Sequence, residues 1–213
     1  MNVFKNGCWG SYRHQILKEV EHIRTHSTFP EEFSAAPQNA YVDVLTPGDF
    51  SSLRWIHSPV TPTSRERCTV HYSSLNFRDV MLASGKLPAE ALRGKVIYFV
   101  CKDLAHKECL IGIEFAGRNS EGKRVMGVVE NQGLASEVFA EPYFLFDVPE
   151  SWSLEDAATV PAVYCTVYYA LVVRGHIKRG DSILIHSGSG GVGQAAIAVA
   201  LSYGCKIYTT VGG

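Results

Sequence analysis

One run constrains the fold of this 213-residue chain more than any other: Ser182-Ile-Leu-Ile-His-Ser-Gly-Ser-Gly-Gly-Val-Gly-Gln194. Its apolar first half predicts a buried strand over residues 182–186, and the glycines that follow predict a turn leading into a helix from about Gly191. Three of these glycines have the G-x-G-x-x-G spacing: Gly188, Gly190 and Gly193. That spacing alone is a weak signal, because glycine-rich turns also close ordinary loops.

The residues after the loop strengthen its interpretation as a dinucleotide site. Helix formers and small residues continue to Leu201, and a second apolar strand is predicted over residues 206–211, which makes the start of a βαβ unit. In such a unit the three glycines permit the turn, let the backbone approach a pyrophosphate and let helix and strand pack closely. The helix N-terminus adds N–H groups and the positive end of its dipole. The alternative is a purely structural glycine turn.

The chain before this unit divides into two parts that differ in composition and in hydrophobic pattern. Residues 1–40 have the charge and proline content of an upstream tail and linker. Residues 41–160 are β-rich, with the apolar–polar alternation of half-buried strands, and residues 161–213 begin the nucleotide-binding part. Strands are predicted at 41–45, 53–57, 68–72, 111–116, 124–129, 135–140 and 143–148.

Helical segments are predicted at three places besides the glycine loop. A short helix fits residues 77–83, and Ser153 with Asp156 forms the start of a capped helix. That helix should break before Pro161 and resume from Val163 to Arg174, with Gly175 as its C-terminal cap.

The composition excludes several classes of partner. The formal net charge is −1 at pH 7, which argues against nucleic acid or an anionic membrane. No apolar run approaches the ~20 residues of a spanning helix, and the first residues lack the pattern of a secretory signal. We therefore expect a cytoplasmic protein without nucleic-acid or membrane partners.

The cysteines and histidines predict reduced thiols and no metal site. Six cysteines are scattered without a C-x-x-C pair, and none of the eight histidines has ligand spacing with them. Three cysteines lie in apolar runs, where a thiol is usually a small buried hydrophobe: Cys68, Cys165 and Cys205.

A set of short phrases over residues 41–213 resembles one family: Ser51-Ser-Leu-Arg-Trp55, Ser74-Leu-Asn-Phe-Arg-Asp-Val-Met-Leu-Ala83, Gly112-Ile-Glu-Phe-Ala-Gly-Arg118, Arg124-Val-Met-Gly127, Trp152-Ser-Leu-Glu-Asp-Ala-Ala158, Val160-Pro-Ala-Val-Tyr164, Tyr168-Tyr-Ala-Leu-Val-Val-Arg-Gly175 and Ile185-His-Ser-Gly-Ser-Gly-Gly-Val-Gly-Gln-Ala-Ala196. Together they resemble the medium-chain dehydrogenase/reductase superfamily, and within it the enoyl reductase domain of animal-type, insect-like fatty acid synthase. The resemblance implies an α/β fold in which a β-rich GroES-like substrate domain precedes the first βαβ of a Rossmann domain.

The resemblance also implies a reaction and its partners. NADPH would reduce a trans-2-enoyl thioester carried on the phosphopantetheine arm of an acyl carrier protein, with hydride delivered to the β-carbon and a proton to the α-carbon. The parent would be a homodimeric multienzyme with neighbouring domains, and it would need no zinc. A close enzyme alternative is the enoyl reductase domain of a polyketide synthase, or a free-standing quinone oxidoreductase. The non-enzyme alternative is an inert truncated product or a scaffold lobe.

The residues that match the family's cofactor site form two groups. The diphosphate loop corresponds to Ser187, Gly188, Ser189, Gly190, Gly191, Val192, Gly193 and Gln194, and the nicotinamide side corresponds to Asn76, Tyr164 and Thr166. The second group has plainer interpretations, since Asn76 could cap a helix and the other two could pack in a core. Arg78 and Asp79 are expected to form a structural or surface pair, and His186 a satisfied core histidine.

Two departures from the family pattern complete the expectations. Residues 96–102, Val-Ile-Tyr-Phe-Val-Cys-Lys, form an apolar patch with no expected counterpart, which we interpret as a mis-set exon boundary. The chain stops after the second nucleotide strand, so we expect a C-terminally truncated fragment that binds NADPH poorly alone and does not turn over. The lysine and aspartate that serve this family as proton donors would lie beyond Gly213, so no catalytic residue is named.

Overall fold

The computed structural model describes residues 2–5, 8–11, 27–28, 39–57, 65–87 and 111–212. The apolar patch at 96–102 lies outside these ranges. The strands are β1 Asn2–Lys5, β2 Cys8–Ser11, β3 Ser27–Thr28, β4 Ala40–Val44, β5 Leu53–His57, β6 Glu66–Tyr72, β7 Glu114–Asn119, β8 Arg124–Val128, β9 Glu137–Ala140, β10 Leu145–Asp147, β11 Ser182–Ile185 and β12 Lys206–Thr209. The helices are α1 Phe77–Ala83, α2 Leu154–Ala157, α3 Pro161–Val167 and α4 Gly191–Ser202, and the π-helical segment Tyr168–Arg174 continues α3.

The β-rich part is built on a five-stranded antiparallel sheet in the order β10-β8-β7-β6-β9. A second sheet, β3-β5-β4, joins it where Tyr41 bridges Ala135 and the N–H of Val42 donates to the carbonyl of Leu134 at 2.7 Å. Phe115 and Cys68 are fully buried at the centre of the core between them. Each predicted strand is present within three residues of its expected bounds. Burial alternates along β8 and β9, whereas β7, which begins at Glu114 and not at residue 111, has its first four residues buried.

Residues 182–209 form a parallel β-α-β unit. Strands β11 and β12 pair in parallel register, Ser182 with Lys206 and Ile185 with Thr209. One apolar cluster contains Ile185, Ala195 and Ala196, and so joins β11 to α4. This confirms the α/β class and the predicted strand–loop–helix order, while the domain boundary at residue 160 stays a prediction.

The helices between the two parts differ from the expectation in detail. Ser153 caps α2 as predicted, since its hydroxyl accepts the N–H of Asp156 at 3.0 Å. The next helix begins at Pro161 and not at Val163, because a proline at the first helical position loses no hydrogen bond. Gly175 is not the left-handed cap: its φ is −84°, and His176 takes the positive φ of 50°.

Candidate functional site

The glycine loop, residues 187–194, lies at the carboxyl end of β11 and runs into the N-terminus of α4. Backbone bonds fix its path, since the N–H of Gly188 donates to the carbonyl of Thr210 and that of Gly190 to Ser187, each at 3.0 Å. The side-chain amide of Gln194 donates to the carbonyl of Ser189 at 2.7 Å. Hydrogen bonds within the protein therefore fix the conformation of the loop.

The glycines of this loop are needed for different physical reasons. A Cβ on Gly193 would lie 2.3 Å from the carbonyl oxygen of Ser187 and 2.7 Å from the Cα of Gly188, so helix and strand approach too closely for any side chain. A Cβ on Gly188 would lie 2.0 Å from the hydroxyl of Thr209. Two of the loop glycines thus serve the fold itself, as the spacing predicts for its first and third positions.

Packing within the protein does not require glycine at Gly190 or Gly191. A Cβ on Gly190 would meet only the carbonyl of Ser187 at 3.4 Å, one on Gly191 only a methyl of Val163 at 3.5 Å, and the φ of Gly190 is an ordinary −76°. The first turn of α4 contains no acidic residue, and its N-cap glycine has no side chain. This open backbone at a helix N-terminus fits a diphosphate group, which needs close approach and unblocked N–H donors.

A buried carboxylate, Glu114, organises the other side of the site. It is 1% exposed, and its Oε1 accepts the side-chain amide of Asn76 at 2.8 Å and the hydroxyl of Ser74. Its Oε2 accepts the backbone N–H of Ala162 at 2.7 Å. One side chain on β7 therefore joins the turn before α1 to the first turn of α3.

Asn76 is the N-cap residue of α1 and forms a capping box with Asp79, as the helix-cap interpretation expects, and its side-chain amide also donates to Glu114. The carboxylate of Asp79 accepts the N–H of Asn76 and the N–H of Gly112, both at 2.9 Å. Asp79 is buried and lies 4.0 Å from Arg78. The interpretation of Arg78 and Asp79 as a structural pair fits this geometry.

Tyr164 and Thr166 are not core residues, which corrects the plainer interpretation of both. Tyr164 is 38% exposed, and Thr166 is exposed with its hydroxyl donating to the carbonyl of Ala162 at 2.7 Å. Both stand on α3, whose Val163 borders Gly191 of the glycine loop. The structure thus brings α3 to the glycine loop at one point and, through Glu114, to Asn76 at another.

Two further expectations are wrong. His186 is exposed beside the loop, with Nδ1 at 3.1 Å from the hydroxyl of Thr210, so it is not a core histidine. Cys165 is exposed on α3, whereas Cys68 and Cys205 are buried as expected. Both errors have one cause: apolar neighbours do not tell which residues of a helix, or at the end of a strand, face the solvent.

The sequence reasoning did not single out Glu114, although it lies within a phrase that was noted for its resemblance. The sequence does carry a signal: Glu114 is the one charged residue in the otherwise apolar run 111–116. Charged residues are rarely fully buried without partners. An acidic residue in an apolar strand therefore predicts that other parts of the fold donate hydrogen bonds to its carboxylate.

The described residues contain no cluster of three or more histidine, cysteine or acidic side chains placed to hold a metal ion. None of the helices in the same ranges has the length and apolar character that crossing a bilayer requires.

Thiol labelling should report on α3. Burial, and after it the charge of Glu114, raises the pKa of Cys165, while burial raises the pKa of Cys68 to about 11. The thiolate reacts, so a raised pKa slows alkylation and makes the rate increase with pH. At about pH 8 we expect slow labelling of exposed Cys165 and none of Cys68. Peptide mass spectrometry measures both, and equal labelling of the two cysteines would contradict the placement of α3.

Comparisons with known proteins find similar sequences among polyketide synthases and a similar fold among solved oxidoreductases. No family model matches the chain. The highly reducing polyketide synthase easB of Emericella nidulans is 29% identical over 206 residues, 95% of this chain and 8% of that protein. The lovastatin diketide synthase mokB of Monascus pilosus is 31% identical over 189 residues, 85% of this chain and 7% of that protein.

Two solved structures show a similar fold. The CurK enoyl reductase has a TM-score of 0.68 at 28% identity, covering 81% of this chain and 54% of that one. The quinone oxidoreductase of Thermus thermophilus, solved also with NADPH, has a TM-score of 0.62 at 25% identity, covering 82% and 53%. This chain therefore spans about half of these structures, and less than a tenth of the two synthases.

Proposed function

Because the described residues have the α/β fold of the enoyl reductases in the medium-chain dehydrogenase/reductase superfamily, we propose that this chain carries the cofactor-binding start of an NADPH-dependent enoyl-thioester reductase. The observation that carries the proposal is the open backbone at Gly190 and Gly191, at the start of a helix that follows a parallel strand. That is the geometry a dinucleotide diphosphate requires.

The roles of the chain's own residues follow from their positions. The N–H groups at the start of α4 would bind the diphosphate, and Asn76, Tyr164 and Thr166 would line the nicotinamide side. When bound, NADPH would supply the hydride for the β-carbon of a trans-2-enoyl thioester. The protein's part is to orient the two reactants and exclude water. We assign no proton donor among the described residues.

The relatives favour a polyketide synthase as the parent over the fatty acid synthase that the sequence resemblance suggested. Both synthases named above make polyketides by their names, and the CurK structure is an enoyl reductase. We therefore propose neighbouring domains of a reducing polyketide multienzyme as partners, with the substrate on the phosphopantetheine arm of an acyl carrier protein. A homodimeric parent and a cytoplasmic location belong to the same proposal.

A second candidate is reduction of a quinone. It is supported by the fold shared with the Thermus thermophilus enzyme. A crotonyl thioester and a soluble quinone, each offered with NADPH to the parent multienzyme, separate the two activities. Consumption of NADPH with the thioester supports the proposal, consumption with the quinone alone supports the second candidate, and consumption with neither supports an inert or scaffolding role.

The substitution Gly190→Ala tests the diphosphate site directly. The protein has room for the methyl group, but the methyl would stand where the diphosphate must approach. Losing one hydrogen bond to a charged group costs about 1.5–3 kcal/mol, so the Kd for NADPH should rise about 10- to 100-fold. Fluorescence titration measures the Kd, and urea unfolding provides the control, since stability should change by less than about 1 kcal/mol. Unchanged affinity would contradict the site.

A further inference from the structure

We propose that Glu114 is a positioning residue for the nicotinamide side of the site. Its buried carboxylate would fix the Asn76 turn and the first turn of α3 in one relative geometry. The inference rests on the proposed function and deepens it, because it gives a role to a residue outside the cofactor-binding set.

The contacts of Glu114 come from two separate elements. Oε1 accepts from Asn76 at 2.8 Å and from the hydroxyl of Ser74, and Oε2 accepts from the N–H of Ala162 at 2.7 Å. The hydroxyl of Ser73 also donates to the backbone carbonyl of Glu114 at 2.8 Å, which fixes the turn against β7. Both carboxylate oxygens are thus engaged, each with a different part of the site.

Stability alone does not explain a carboxylate at this position, because burying it costs free energy. A carboxylate withdrawn from water is tolerated only when hydrogen bonds replace its hydration. The neighbouring Phe115 and Ala116 are fully buried and apolar, and an apolar residue at 114 would also fill the sheet. What an apolar residue could not do is accept hydrogen bonds from two elements at once, so the carboxylate is explained by the geometry it imposes.

The three groups that contact the carboxylate oxygens of Glu114 are all hydrogen-bond donors, which suits an acceptor-only carboxylate. Each bond is charge-assisted and therefore short and directional. Ala162 is followed by Val163, which borders Gly191, and then by Tyr164. A displacement at Glu114 would therefore move Asn76 and α3 relative to each other while the glycine loop kept its own internal bonds.

The decisive variant is Glu114→Gln, which keeps size and shape but turns one oxygen into an NH₂ donor. One of the three donors to the carboxylate then faces another donor. We expect kcat for the enoyl thioester to fall about 100-fold, because a displacement on the order of 1 Å has that effect. The Kd for NADPH should stay within about threefold, since the diphosphate loop carries most of the affinity.

Rescue distinguishes positioning from general damage. Adding Asn76→Asp to Glu114→Gln reverses the direction of that hydrogen bond, because the new carboxylate accepts from the new amide, and it should restore part of the lost kcat. Glu121→Gln makes the same chemical change at an exposed turn and should leave kcat unchanged. If Glu114→Gln does not fold, Ser74→Ala removes a single donor and should lower kcat several-fold, again without changing the Kd.

A readout without substrate completes the test. In Glu114→Gln, NMR hydrogen exchange of the Ala162 backbone amide or the Asn76 side-chain amide should become faster than in the wild type. Unchanged exchange at both groups, or a wild-type kcat in Glu114→Gln, would overturn the role of Glu114 and leave the proposed function standing. Each kcat is measured in the parent multienzyme, because this chain alone is not expected to turn over. A wild-type multienzyme that neither binds NADPH nor reduces the thioester would overturn both.

Discussion

Gly193→Ala is expected to destabilise the β11–α4–β12 unit by about 3 kcal/mol. The new methyl would lie 2.3 Å from the carbonyl oxygen of Ser187 and 2.7 Å from the Cα of Gly188. Both are backbone atoms, so relief requires α4 to move away from the end of β11. That movement would open the apolar cluster that contains Ile185 and Ala196. Urea unfolding followed by circular dichroism measures the loss.

Gly190→Ala is the matched control for this effect, since it makes the same change three residues earlier. It should leave the unfolding midpoint nearly unchanged while it weakens NADPH binding. Gly193→Ala should lower the midpoint, and the binding with it. If the two variants lost equal stability, the assignment of separate structural and ligand-related reasons to these glycines would be wrong.

Phe115→Ala should cost about 4 kcal/mol of unfolding free energy. Phe115 is fully buried in the core of the five-stranded sheet, and its ring lies against the backbone of Gly127 on β8. Alanine would leave a cavity that the sheet backbone cannot close. This loss is a large share of the roughly 5–15 kcal/mol typical of a folded domain. Denaturant unfolding followed by tryptophan fluorescence measures it.

Phe146→Ala serves as the comparison, because Phe146 stands on strand β10 of the same sheet but is 40% exposed. It should cost about 1 kcal/mol or less, in proportion to the apolar area it buries. A Phe115→Ala variant as stable as Phe146→Ala would show that the core between the two sheets is not packed as described.

The parts of the fold that the sequence predicts well are those governed by local periodicity. Alternation identifies the strands of the β-rich part, and the glycine spacing places β11, the loop and α4 in the correct order. The cap at Ser153 follows from hydroxyl chemistry within one turn. In each case the interactions that decide the structure lie within a few residues.

The sequence does not predict what depends on distant partners. Glu114 accepts hydrogen bonds from residues 38 and 48 positions away, and nothing in its neighbourhood identifies them. The exposure of Cys165 and His186 likewise depends on how α3 and β11 sit in the fold. The phrases that suggested a fatty acid synthase include the glycine loop and the Asn76 turn, which any enoyl reductase of this fold can use. They therefore did not separate that family from the polyketide synthases.

The β11–α4–β12 unit also has a consequence for the order of folding. Its strands are joined by contacts between residues 24 positions apart, as between Thr209 and Ile185. The two sheets of the β-rich part are joined by contacts 96 positions apart, as between Ala40 and Ser136. Short loops close at a lower entropic cost, and low contact order favours fast formation. The β11–α4–β12 unit should therefore assemble early in folding. The hydrogen bond that the N–H of Ala162 donates to Glu114 should form late, when the slower β-rich part docks onto it.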